Sequence, residues 1–269
     1  MIDYFNHSYE QKFLRLDDFK VENDDVYTLA LDLYSLSKWL VDASLLCEFN
    51  HFIEQELVQK VDTFFHHALL LTMSEQPQLG IASARIAIET GRDLLRILES
   101  HENRELFLCT VPTKEQIKQY RKVFRFQQNE KHLLEIYNFA SNYGIHSKTQ
   151  VTDSVSAVLN FAGKNFKVSR QKHHSRDASK ILIVAQYLLT DLIWQKLAKL
   201  RQVSGSPELG VFVDLFENKQ IEILPQLLAM PEFKQSKLET ILTQNCFVTF
   251  LNHWDKNTRK LIAHVYILS

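Results

Sequence analysis

The 269 residues carry 45% hydrophobic side chains and 18 Phe, enough apolar surface for a large buried core, so the composition excludes a disordered chain. Net charge is −1, and only 6 Gly and 5 Pro are present, too few for the frequent reversals of an all-β chain. The expectation is an all-α fold, a multi-helix bundle.

Cys47, Cys109 and Cys246 lie far apart in apolar contexts, which suggests neither a disulfide framework nor a closely spaced zinc motif. Met1 to Lys12 is polar and has no export-signal pattern. The longest apolar runs, 63–74 and 181–190, fall short of the roughly 20 residues of a bilayer span. These features point to a cytoplasmic protein with no membrane partner.

In chain order, the apolar spacing of Leu29, Leu33, Leu36, Leu40 and Ala43 predicts a helix from Asp25, a candidate N-cap, to about Phe49. A second helix over 51–74 ends before Pro77. The clearest pattern follows in Gly80 to Ser100. Ile81, Ala84, Ile88, Gly91, Leu95 and Leu98 recur at three- and four-residue steps, and the apolar arc is wide enough to predict packing on several sides. Its narrow polar stripe carries Arg85, Glu89, Arg92 and Arg96.

Pro112 and Thr113 start the next helix, where Thr113 and Gln116 fit a capping box. Along it Lys114, Lys118, Arg121 and Arg125 share one face at steps of four, three and four, with Lys122 beside them, while Tyr120 and Phe124 lie on another face and read as core. A helix over 129–141 with a stop at Tyr143-Gly144 and a shorter one over 152–161 follow. Residues 164–180 read as a basic linker between a main bundle, 1–163, and a C-terminal helical section, 181–269, with the alternative that the two pack as one domain. That section holds an apolar helix to about Gln202, broken by Ser204-Gly205-Ser206-Pro207, then helices near 208–217, 220–229 and 231–251, and one from about Lys256.

Charge is segregated along the chain. Residues 1–100 hold 8 basic and 17 acidic side chains, 101–180 hold 14 and 7, and 181–269 hold 9 and 8. A basic middle third attracts phosphate-bearing partners unless the acidic portion folds against it. Glu48-x-x-His51 has the spacing of a helical metal pair but stands alone, and His66-His67 and His173-His174 are adjacent pairs expected to diverge on a helix. Neither a metal nor a cofactor is expected.

Two resemblances bear on function. Arg85-x3-Glu89 on one helix, with Tyr137-x3-Ser141-x4-His146 on another, resembles a pattern in uncharacterised all-helical bacterial proteins, and implies a buried polar cluster of those five residues without an assigned reaction. The alternative is that the Arg85 and Glu89 stripe is a salt-bridged solvent face. Near the C-terminus, Arg259-Lys260-Leu261-Ile262-Ala263-His264 is similar to the Arg-x4-His motif of the HEPN helical-bundle family, many of whose members are metal-independent ribonucleases. Lys260 departs from the Asn, Asp or His that often follows the Arg in that family. The resemblance implies that Arg259 holds a phosphate and His264 acts in general acid–base attack by the RNA 2′-hydroxyl. On one regular helix a separation of five turns the two side chains about 140° apart, so such a site implies a homodimer or an Arg259 at or before the helix start. With Lys114, Lys118, Arg121 and Arg125 as phosphate contacts, the first expectation is an RNA-binding or RNA-cleaving protein of defence or stress response. The second is a non-enzymatic helical module that binds a protein partner.

Overall fold

The computed structural model describes residues 15–46, 52–143, 157–169, 172–204, 207–233 and 237–245. The fold is a predominantly all-α bundle with one small two-stranded sheet. In chain order its elements are α1 (residues 15–22), α2 (Asp24–Leu46), α3 (Ile53–Met73), α4 (Pro77–Ile97), α5 (His101–Leu108), α6 (Lys114–Val123), α7 (Lys131–Tyr143), β1 (Ala157–Phe161), β2 (Lys164–Val168), α8 (Lys172–Ser204), α9 (Pro207–Ala229) and α10 (Leu238–Asn245). Among these no helix is long and apolar enough to cross a membrane.

The bundle forms around α8. Residues 178–194 are buried on every side, mostly apolar but with Lys180, Gln186 and Asp191 also enclosed, and Asp191 accepts from Gln220 at 2.5 Å. α2, α3, α4, α7, β2, α9 and α10 all pack on it. Beside it, α4 starts with Pro77 at its first position, where a missing N–H costs nothing, and is enclosed by α3, α7 and α8. Two glycines make that closeness feasible. A Cβ on Gly80 would overlap Thr72 Oγ1 and stand 2.6 Å from the Ala68 carbonyl, and one on Gly91 would overlap Leu189 Cδ2 and stand 2.8 Å from its Cδ1. The Gly80 contact, against a backbone carbonyl, therefore requires the bare backbone, whereas at Gly91 a side chain would have to displace Leu189.

Several local expectations are corrected. Residues 157–161 form β1 rather than a helix, and the stretch 164–180 read as a linker is β2 followed by the first turns of α8. β1 and β2 are antiparallel, with Leu159 opposite Phe166 and Ala157 opposite Val168. Leu159, Phe161, Phe166 and Val168 turn one face inward and Val158, Asn160, Asn165 and Lys167 turn outward, the alternation of a half-buried hairpin. The two-residue turn places Ala162 (φ 53°) and Gly163 (φ 78°) in the left-handed region that such tight hairpins need.

α8 begins nine residues earlier than the apolar pattern suggests because its polar first turns have partners. Lys172 Nζ lies 2.8 Å from Glu22, Arg176 lies 3.1 Å from Asp25, and the Ser179 hydroxyl donates to the Ser175 carbonyl at 2.9 Å. The helices expected over 208–217 and 220–229 are one, α9, since Phe216, Gln220, Ile223 and Leu227 keep a single buried face across the supposed break.

Candidate phosphate-binding face

α6 is a short amphipathic helix carried at the edge of the bundle. Its start is fixed by the capping box: Thr113 Oγ1 accepts from the Gln116 amide at 3.2 Å, and Gln116 Oε1 accepts from the Thr113 amide at 2.8 Å. Its inner face stacks Tyr120 on Phe124 with ring centroids 4.3 Å apart, and Phe124 meets Phe107 of α5 at 5.8 Å. α5 in turn is tied to the start of α3 by the ion pair of Arg104 with the fully buried Glu54. With its aromatic side committed inward, α6 presents Lys114, Lys118, Arg121, Lys122 and the following Arg125 to solvent. Among the described residues none of the five side chains has an ion-pair partner.

The segment that carries Arg125 is held by an arginine beneath it. Arg96, 1% exposed, extends from α4 and donates from Nε and Nη2 to the Arg125 carbonyl, both at 3.2 Å. Its Nη2 also meets both carboxylate oxygens of Glu130 at 2.5 Å, and Glu130, 2% exposed, accepts from the Gln127 amide at 2.9 Å. Asn103 closes the far side by donating to the Arg96 carbonyl at 2.9 Å. Above this anchor opens a cleft of about 570 Å³ whose wall includes Arg96, Glu99, Lys122, Arg125, Phe126 and Gln127. Lys196 of α8 reaches Glu99 at 3.2 Å.

The remaining charges of the α4 stripe run from this cleft along the 126–137 segment. Arg92 sits over the Phe126 ring at 5.3 Å, Phe126 meets Tyr137 at 5.2 Å, and Arg85 sits over Tyr137 at 5.1 Å, so a pair of touching rings is flanked by a cation on each side. Glu89 bridges Arg85 and Arg92 at 3.8 Å each. Arg92 also donates to Asp93 Oδ1 at 2.6 and 2.8 Å, yet burial pushes the Asp93 carboxyl above its ordinary range against that attraction.

The sequence expectation is a buried polar cluster of Arg85, Glu89, Tyr137, Ser141 and His146. Arg85, Glu89 and Tyr137 come together, with Arg85 Nη2 3.4 Å from the Tyr137 hydroxyl. They are not deeply buried, since the side chains of Arg85 and Glu89 are 26% and 39% exposed. Ser141 spends its hydroxyl on the Tyr137 carbonyl of its own helix, at 2.8 Å. His146, Arg259, His264 and the Glu48/His51 pair lie outside the described residues. The stripe's buried member is Arg96, whose partner Glu130 sequence reasoning missed. The available signal was Gln127-x-x-Glu130, a capping-box spacing immediately before a helix.

The histidine pairs do not behave alike. His173 and His174 do not diverge: their rings are 3.9 Å apart, and His174 Nδ1 is 2.6 Å from the Ser169 hydroxyl. Among the described residues no three His, Cys, Asp or Glu side chains are grouped to hold a metal ion. Comparison with protein-family models, curated proteins and solved structures gives no match.

Proposed function

We propose that this protein binds RNA through the outer face of α6 and the cleft at its C-terminal end. One observation carries the reading: Lys114, Lys118 and Arg121 on α6 and Arg125 just beyond its end are all exposed and without ion-pair partners among the described residues, while Lys172 and Arg176 pair with Glu22 and Asp25. Five exposed cations against the single acid Glu115 thus lie within residues 114–125. A row of guanidinium and ammonium groups supplies phosphate contacts without reading sequence. The cleavage half of the proposal rests on the resemblance of Arg259 and His264 to the HEPN motif, in a homodimer. There guanidinium would hold a phosphate and an imidazole titrating near neutrality would move the 2′-hydroxyl proton.

The test is retention of a single-stranded RNA by the Lys118→Glu/Arg121→Glu/Arg125→Glu protein at low salt. Wild-type binding should weaken with salt at a slope of about −3 in log K against log salt for four phosphate contacts, and the triple variant should lose it. Unchanged retention removes α6 from the interface. Cleavage is assayed separately, without divalent metal, and should vanish in His264→Ala while binding persists. A second reading, a non-enzymatic protein-interaction module, is favoured by Leu108, Val111 and Ile117, which the α5 to α6 region leaves 40%, 86% and 39% exposed. RNA left unbound at low salt selects it.

A further inference from the structure

The cleft beside α6 contains an oddity for a surface that would receive an anion: its own carboxylate. Glu99 Oε1 accepts from Arg96 Nη1 at 2.9 Å, from Gln127 Nε2 at 3.2 Å and from Lys196 Nζ at 3.2 Å. Those donors come from three separate parts of the chain, the end of α4, the turn after α6, and α8, and they converge on a single oxygen at the cleft wall. One carboxylate oxygen shared by two cations and an amide leaves each donor with part of an acceptor. A phosphate group offers several oxygens and more charge, so each donor could have its own. Lys122 and Arg125, at the same wall and without ion-pair partners among the described residues, would add to a phosphate but leave Glu99 alone.

We propose that Glu99 occupies a phosphate seat of the cleft and that the incoming phosphate displaces it, so the seat is self-blocked until a ligand competes. The seat comprises Arg96, Gln127 and Lys196 with Lys122 and Arg125 at its rim. Arg96 stays rigid in the exchange because Glu130 and the Arg125 carbonyl hold its other nitrogens. Glu99 can leave, since its side chain is 24% exposed and swings towards water about its own bonds. The seat deepens the RNA reading and rests on it for the identity of the ligand, whereas its chemistry concerns only phosphate.

The experiment titrates the full chain with inorganic pyrophosphate and with one short RNA bearing either a 5′-phosphate or a 5′-hydroxyl. Glu99→Gln keeps the side-chain shape and removes the competing charge, so it should tighten pyrophosphate binding about tenfold. Lys196→Met should weaken it, and Asp17→Asn, an equal charge change at an exposed residue of α1, should leave it unaltered. Preference of Glu99→Gln for the 5′-phosphorylated RNA assigns the seat to a strand terminus, and equal binding of the two RNAs assigns it to a backbone phosphate. Pyrophosphate binding without RNA binding keeps the seat and overturns the RNA reading. RNA binding that Glu99→Gln does not strengthen, with pyrophosphate unbound, overturns the seat and leaves the RNA reading standing. If neither ligand binds any variant, both fall.

Discussion

Arg96 and Glu89 belong to one stripe of one helix, yet their surroundings make them opposites. Arg96 is enclosed with Glu130, and removing one partner of a buried pair leaves a charge without compensation, at a cost of about 3–5 kcal/mol. Glu130→Gln should therefore lower stability by that amount in urea unfolding, and should also loosen the turn that presents Arg125. Glu89 is 39% exposed and meets its arginines only at 3.8 Å, the range in which a pair contributes about 0–1 kcal/mol. Glu89→Gln should shift the unfolding midpoint barely at all. A large loss for Glu89→Gln with a small one for Glu130→Gln would reverse the assignment of the buried anchor. No periodicity distinguishes the two charges, because both occupy the polar arc of α4. The distinction lies in what α7 and the turn before it bring, and that is a tertiary fact.

Elements are where the sequence was most and least informative. α4 and α6 could be read directly, since an apolar stripe and a capping box each state a local preference that packing did not override, although Pro77, read as the stop of α3, is in fact the first residue of α4. The hairpin was not read, for a physical reason: Ala162-Gly163 lacks the Asn or Asp that marks a tight turn, and Ala157, Leu159 and Phe161 form too short a run to separate strand from helix. The candidate site was half legible. The cations of α6 follow from spacing and Glu130 from its capping-box position, but Glu99, Lys196 and the pairing of Glu130 with Arg96 enter only through folding. Backbone conformation supplies two tests at this scale. Glu75 closes α3 with φ 60°, a left-handed position that costs a non-glycine residue about 1–2 kcal/mol, and Gln76 N donates to the Leu71 carbonyl there at 2.8 Å. Glu75→Gly should stabilise the protein by about 1 kcal/mol in thermal unfolding, since the ion-pair partner lost among the described residues is the half-exposed Arg15 at 3.8 Å. Gly91→Ala should do the reverse, by about 1–3 kcal/mol, because Leu189 must move aside. A Gly91→Ala protein as stable as the wild type would show that α4 and α8 can separate without loss.

At the scale of the molecule, acidic and basic stretches meet only in part. The acidic start of the chain reaches the start of α8 through Glu22 and Asp25, and α6 is left with its charge. The same acidic third contains an imidazole whose titration ties stability to pH. His66 projects from α3 towards α2, with its ring 4.8 Å from that of Tyr34, Asp62 one turn earlier, and Lys38 and His67 nearby. Burial lowers its pKa below the ordinary 6.5, outweighing the opposing attraction of Asp62, and the neighbouring His67 and Lys38 push in the same direction as burial. In the unfolded chain the imidazole regains its ordinary value, so between the two values the unfolded state binds more protons than the folded one. Stability must then be fully present above about pH 6.5 and fall as pH drops towards and through the folded value. His174, also lowered chiefly by burial, adds to the slope in the same direction. Denaturant midpoints measured from pH 8 to pH 5 should decline below about pH 6.5. His66→Asn should flatten that decline without abolishing it, because the His174 contribution remains. A decline of unchanged steepness in His66→Asn would place the proton uptake elsewhere; the buried Asp93 carboxyl, raised above its ordinary value, contributes a slope of the opposite sign, so the difference between wild type and His66→Asn is the deciding readout.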